Sequence, residues 1–204
     1  MNTIKLASEQ IEPSKIVCIG RNYLEHIQEL GNEVADSMVI FVKPNSSISN
    51  KLRSTIDEPI HFEGEICFMV KRGILHAVGF GLDLTKRDLQ SRLKGKGLPW
   101  ERAKAFDGAA CFSEFIPLGN TPVESLSLQL DINEKVAQSG DYPLMIYKPQ
   151  DILQEVSSFM TLNDGDIIMT GTPKGVGVIK PQDHFKGKIL SADKTLVSQE
   201  WMAE

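Results

Sequence analysis

The chain has 204 residues, 41% of them hydrophobic, and 27 acidic side chains against 22 lysines and arginines leave a formal charge of −5. That is enough apolar material for a single domain spanning 1–204, and an acidic balance without basic blocks argues against a nucleic-acid partner. No apolar stretch approaches the roughly 18 residues of a membrane span, and "MNTIKLASEQIEP" lacks the apolar core of a signal peptide, so a cytoplasmic protein with no membrane partner is expected.

Residues 1–14 read as a short N-terminal extension. "KIVCIGRNY" is an apolar run ending at a glycine, the form of a buried strand entering a turn. "YLEHIQELGN" has helical spacing with Gly31 as its stop, so that His26 and Glu29 share a face. "SMVIFVKPNSSI" predicts a strand ended by Pro44, and "PIHFEGEICFMVKRG" one longer strand. A helix follows at "TKRDLQSRLKGKG". "LSLQLDINEKVAQSG" alternates apolar and polar residues around a tight turn at "INEK", which predicts a hairpin. "YKPQDILQEVSSFMTL" opens with Pro149 in its first turn and carries Ile152, Val156 and Phe159 as an apolar stripe, which predicts an amphipathic helix. "GDIIMTGTPKGVGVI" is a strand running into a glycine loop, and "HFKGKILSADKTLVSQEW" a closing hairpin. Strands and helices are segregated rather than alternating, which favours α+β over a doubly wound sheet. Cys18, Cys67 and Cys111 are widely separated, Cys18 and Cys67 lie in apolar runs, and all three read as reduced core residues.

One stretch is discordant. "HFEGEICFMV" places Glu63 and Glu65 one residue apart in an apolar strand, where side chains at i and i+2 share a face roughly 7 Å apart. Two ionised carboxylates so placed repel each other unless a cation sits between them or one takes a proton, and an oxygen-only donor set suits Mg²⁺, Mn²⁺ or Ca²⁺. The alternative is a solvated face of an edge strand. Asp83, embedded between leucines in "GFGLDLTKRDLQ", is either a third ligand or, with Thr85, a helix cap. Lys104 in "WERAKAFDG" is either a core-edge lysine with its head in water or a cation aimed at an anionic substrate. "TGTPKGVG" is not a Walker A loop.

Six segments in order, "IGRNYLEHIQEL", "FVKP", "HFEGE", "LDLTKRDLQ", "KGLPWERAKAFDG" and "GDIIMTGTPKGVG", resemble the fumarylacetoacetate hydrolase family, in particular its small acylpyruvase and oxaloacetate decarboxylase or tautomerase branch. The resemblance covers a core of residues 15–180. It implies a mixed β-sheet roll with peripheral helices, in agreement with the α+β pattern, and a homodimer. It also implies that Glu63, Glu65 and Asp83 bind Mg²⁺ (or Mn²⁺), that His26, Glu29 and Lys104 are catalytic, and that Arg21, Lys43, Arg87, Gln90 and Thr172 contact substrate. A His–Glu pair at i and i+3 is chemically suited to take a proton from water.

The activity so implied is divalent-metal-dependent cleavage of a small 2-oxo acid through an enolate: hydrolysis of an acylpyruvate to pyruvate and a carboxylic acid, or decarboxylation or tautomerisation of oxaloacetate. Two alternatives stay open, an isomerase or hydratase of aromatic-catabolism intermediates and a non-catalytic metal- or ligand-binding module. Two departures bear on the pocket. Gly64 stands where relatives carry an apolar residue, which is expected to loosen the strand, and Tyr142, in a trimmed segment, replaces a small hydroxyl residue.

Overall fold

A computed structural model describes residues 1–31 and 33–204. In chain order the strands are β1 (Ile4–Leu6), β2 (Glu9–Ile11), β3 (Lys15–Gly20), β4 (Val39–Pro44), β5 (Thr55–Ile56), β6 (Glu58–Phe62), β7 (Gly64–Lys71), β8 (Ile74–Asp83), β9 (Thr85–Lys86), β10 (Ala110–Phe112), β11 (Ile116–Pro117), β12 (Leu126–Ile132), β13 (Lys135–Asp141), β14 (Ile167–Met169), β15 (Gly177–Val178), β16 (His184–Ser191) and β17 (Lys194–Met202). The α-helices are α1 (Leu24–Glu29), α2 (Arg87–Gly95), α3 (Glu101–Lys104) and α4 (Pro149–Phe159). The result is an α+β fold with few helices around a curled mixed sheet.

That main sheet runs β10-β8-β7-β14-β3-β4, with β11 also on β8. Only β14 and β3 pair in parallel within it. The hairpins β12–β13 and β16–β17 form a second, antiparallel sheet, and β6 organises a third from β5, β9 and β15. Both faces of the main sheet are buried, which is why its strands read as near-continuous apolar runs. Val17, Ile19, Ile66, Phe68 and Phe80 face the second sheet and α4. Ile16, Cys18, Cys67, Met69 and Ile167 turn the other way, against the β1–β2 hairpin, Phe112 and Phe115. Each such side chain contributes about 1.5–3 kcal/mol relative to exposure. All three cysteines are free and buried, as expected.

Both predicted hairpins form, each closed by two residues with positive φ, Asn133–Glu134 and Ala192–Asp193, the twist that two-residue hairpin turns require. Three expectations are corrected. The long strand predicted over "PIHFEGEICFMVKRG" is two, β6 and β7, in different sheets, with the chain changing sheets at Glu63. Gly64 does not loosen this junction. A Cβ there would lie 3.0 Å from Gln138 Oε1 and 3.0 Å from the Phe80 ring, so the absence of a side chain lets the strand approach closely. Phe159 is exposed; the stripe on α4 runs through Ile152 and Val156 to Met160, the i+4 position, which packs on the core instead. No helix among the described residues is long and apolar enough to cross a membrane.

Candidate active site

Backbone register brings the three acids together. Gly64 pairs with Leu82 across β7 and β8, so Glu63 stands opposite Asp83, and the Asp83 N–H donates to the Glu63 carbonyl at 2.8 Å. Glu65 is two residues along on the same face and lies opposite Gly81, where a Cβ would sit 2.5 Å from Cys67 Sγ and 3.0 Å from the Phe112 ring. The three residues are buried, and one oxygen from each lies within 4.8 Å of the others. They are neither a solvated edge nor a cap. Asp83 ends β8, and α2 starts after Lys86 without a side-chain cap.

Burying three carboxylates without compensation would cost several kcal/mol each. Three cations compensate. The Lys104 ammonium donates to Glu63 Oε2, Asp83 Oδ2 and Thr85 Oγ1, each at 2.7 Å. Arg87 donates to Glu63 Oε1, and the Lys43 ammonium lies 2.8 Å from Asp83 Oδ1. Burial alone would raise the Glu63 pKa, but Lys104 and Arg87 outweigh it and hold the carboxyl well below the usual range. Glu65 goes the opposite way. Burial and the charges of Asp83 and Glu63 push it well above, against the single N–H of Gly171 that donates to it at 2.7 Å. Burial would lower Lys104, yet Asp83 and Glu63 raise it, so its charge is secure.

These residues fit a divalent cation. All donors are hard oxygens of one charge type, and Asp83 Oδ1, although close to Lys43, is buried and accepts no hydrogen bond. A cation also offsets the burial and like-charge repulsion that push the Glu65 pKa upward.

A cleft of about 160 Å³ opens over the acids, far below the ~300–1,000 Å³ of drug-sized sites, and so suits a molecule of a few carbons. Arg21, His26, Arg87, Gln90, Lys104 and Thr172 all line it with the three acids. Glu29 and Lys43 do not. Glu29 accepts from His26 Nδ1 at 3.2 Å through one oxygen and from the Gly175 N–H at 2.9 Å through the other, so it fixes the imidazole and ties α1 to the glycine loop. Lys43 is fully buried, reaches Asp83 from below, and donates to the Leu84 and Lys104 carbonyls. The Thr172 hydroxyl donates to the Gly64 carbonyl at 2.9 Å and accepts from Gln138 at 2.8 Å, holding the loop against the ligand strand. Tyr142 is not in the cleft wall; its ring carries the Lys148 ammonium at 4.9 Å.

Sequence reasoning missed two positioning residues. Buried Asn22 donates to the Thr170 and Tyr147 carbonyls and accepts from the Tyr147 N–H, locking the β3–α1 junction to the glycine loop. Gly171 must lack a Cβ there, since one would sit 2.8 Å from Asn22 Cβ, and its φ is +96°. Gln138 accepts from the Gly64 N–H at 2.8 Å and donates to Thr172 and Pro173. An isolated amide in a strand pattern carries no sequence signal for such a role. The short helix α3 and the Phe41–Trp100 ring pair (centroids 5.0 Å) on the cleft wall were also unforeseen.

The fumarylacetoacetate hydrolase C-terminal family model matches residues 15–199. The chain is 36% identical over 190 residues to the oxaloacetate tautomerase YcgM of Escherichia coli strain K12, covering 84% of this chain and 86% of that protein. It is 36% identical over 196 residues to the mitochondrial oxaloacetate decarboxylase of Dictyostelium discoideum, covering 88% and 90%. The crystal structure of fumarylpyruvate hydrolase from Pseudomonas aeruginosa in complex with Mn²⁺ and pyruvate superposes with a TM-score of 0.88 at 24% identity, over 99% of this chain and 95% of that one.

Proposed function

The chain belongs to the fumarylacetoacetate hydrolase family, and from that premise we propose that it tautomerises or decarboxylates oxaloacetate with a divalent ion, and that acylpyruvate cleavage is open to the same site. The observation that carries this reading is the buried Glu63–Glu65–Asp83 cluster beneath a small cleft walled by cations.

Glu63, Glu65 and Asp83 would hold Mg²⁺ or Mn²⁺, which supplies a Lewis acid that polarises a 2-oxo acid and offsets the negative charge that develops on its ketone oxygen. The chain supplies the rest. Arg87 and Gln90, hydrogen-bonded to each other at 3.0 Å on α2, present a guanidinium and an amide to the substrate carboxylate. With Nδ1–H directed at Glu29, neutral His26 keeps a lone pair on Nε2 for the cleft. That nitrogen takes a C3 proton in tautomerisation, or a proton from water as it attacks the distal carbonyl of an acylpyruvate. In decarboxylation the C3–C4 electron pair flows toward the ketone as CO₂ leaves. Lys104 then stabilises the developing charge and returns a proton to C3.

Turnover of oxaloacetate (ketonisation and CO₂ release) and of acetylpyruvate by purified protein, with Mg²⁺, with Mn²⁺ and with EDTA, tests the reading beside Glu63→Gln and His26→Ala. Activity that needs the metal and is lost in Glu63→Gln supports it, and loss of acetylpyruvate cleavage and of ketonisation in His26→Ala, with CO₂ release retained, supports His26 as the base. Absence of turnover of either acid, with metal bound, overturns it.

A further inference from the structure

Helix α2 presents one polar stripe to the cleft: Arg87, Gln90, Ser91 and Lys94, at i, i+3, i+4 and i+7. One end of that stripe touches the acids through the Arg87–Glu63 pair. The other end, two turns away or about 10 Å along the axis, is Lys94. Helical side chains lean toward their N-terminus, so Lys94 leans back toward the acids. Its ammonium lies 4.8 Å from the centroid of the Trp100 ring, Trp100 packs on Phe41, and the Lys104 ammonium lies 5.2 Å from the Phe41 ring. Two lysines thus flank one aromatic pair, but they are differently engaged. Lys104 is bound to Glu63 and Asp83, whereas Lys94 has neither an ion pair nor a hydrogen bond among the described residues.

We propose that Lys94 is a specificity-determining residue that binds the second carboxylate of a four-carbon dicarboxylic 2-oxo acid whose 2-oxo-acid end sits at Glu63, Glu65 and Asp83. The inference rests on the function proposed above and names the end of the substrate that function leaves open. A ligand held at the acids and extending along the Arg87–Lys94 stripe meets at its far end a cation that makes no ion pair among the described residues and rests on a flat aromatic support. Loss of solvent and repulsion from Lys104, Arg21 and Arg87 pull the Lys94 ammonium down to about 8, so an arriving carboxylate relieves a crowd of like charges.

Calorimetry with Mg²⁺ present compares malate and lactate, unreactive 2-hydroxy acids that share the chelating end and differ in the second carboxylate. Wild-type protein binds malate at least about tenfold more tightly, Lys94→Met abolishes that preference, and Lys94→Arg retains it. In turnover, Lys94→Met raises KM for oxaloacetate at least about tenfold relative to acetylpyruvate without a matching fall in kcat. Equal affinity for the two acids in the wild type, or a preference that persists in Lys94→Met, overturns the assignment. Wild-type protein that turns over neither keto acid overturns the proposed function instead, and the malate–lactate comparison still decides Lys94.

Discussion

Glu63 and Asp83 face each other across two strands and share one cation: the Lys104 ammonium sits 2.7 Å from an oxygen of each. Removing that lysine leaves two buried carboxylates short of a counter-charge, a change that costs about 3–5 kcal/mol in comparable buried pairs. Lys104→Met is therefore expected to melt well below the wild type in EDTA and to recover more of its Tm than the wild type does on adding Mn²⁺, because the ion supplies the missing charge. Catalysis should stay low in the rescued protein. Equal Mn²⁺-induced shifts in both proteins would show that Lys104 does not neutralise these acids.

Glu65 gives the opposite result. Its carboxyl is pushed well above the usual carboxylate range by burial and by Asp83 and Glu63, so without an ion its neutral form is favoured. Glu65→Gln keeps the shape of that neutral acid and an oxygen for the Gly171 N–H. Stability in EDTA, read by urea unfolding, should stay within about 0.5 kcal/mol of the wild type. Mn²⁺ affinity should fall at least about tenfold, because a charged oxygen donor is gone. A loss above about 2 kcal/mol in EDTA would mean that Glu65 is ionised in the folded chain.

Glu29 accepts two hydrogen bonds with its two oxygens, from His26 and from the Gly175 N–H. A Gln side chain has one oxygen, so Glu29→Gln must give up one of them. Acetylpyruvate cleavage, which needs an oriented base for water, should fall about 10–100-fold. Oxaloacetate decarboxylation, which needs no water activation, should fall much less. Parallel losses in both reactions would remove the dyad from the water-activating role.

Gly64→Ala tests the sheet junction. A methyl 3.0 Å from Gln138 and from Phe80 forces one of them to move, at an expected cost of about 1–3 kcal/mol, and Glu63 and Glu65, the flanking acids of the proposed metal site, ride on the displaced strand. Lower thermal stability together with weaker Mn²⁺ binding is expected. Unchanged metal binding would show that the junction yields elsewhere.

Gly64 also marks where the sequence stops being legible. An E-x-E pair in an apolar run signals the acids, and period-2 alternation with two-residue turns signals both hairpins. The break between β6 and β7 carries no such signal, because the glycine that permits it reads as a weak point until Phe80 and Gln138, far away in the chain, are seen against it. The same holds for support residues. His26 and Glu29 announce themselves by helical spacing, whereas Lys43, Asn22 and Gln138 act on the site through contacts 30 to 150 residues away in sequence. Phe159 was misjudged for a local reason: at the last turn of α4, the i+4 row through Met160 meets the core and the i+3 row does not.

Asp166, away from the cleft, contributes to the acid sensitivity of the fold. It accepts from the Ser14 N–H and hydroxyl, the Lys15 N–H and the Asn163 N–H, and pairs with the Lys15 ammonium at 2.5 Å, so that one carboxylate fastens the start of β3 to the turn before β14. Burial would raise its pKa, but these donors outweigh burial and hold it below the ordinary carboxylate range. The folded state therefore binds fewer protons at Asp166 than the unfolded chain does. Its stabilisation is complete above the unfolded value of about 3.9 and is lost as pH falls through the lower folded value. Asp166→Asn cannot ionise and turns an NH₂ toward donors, so it should cost about 3 kcal/mol at pH 7. Urea unfolding of both proteins at pH 7, 5 and 3 should give gaps that are equal at 7 and 5 and smaller at 3. A gap independent of pH would assign the loss to packing rather than to the charge.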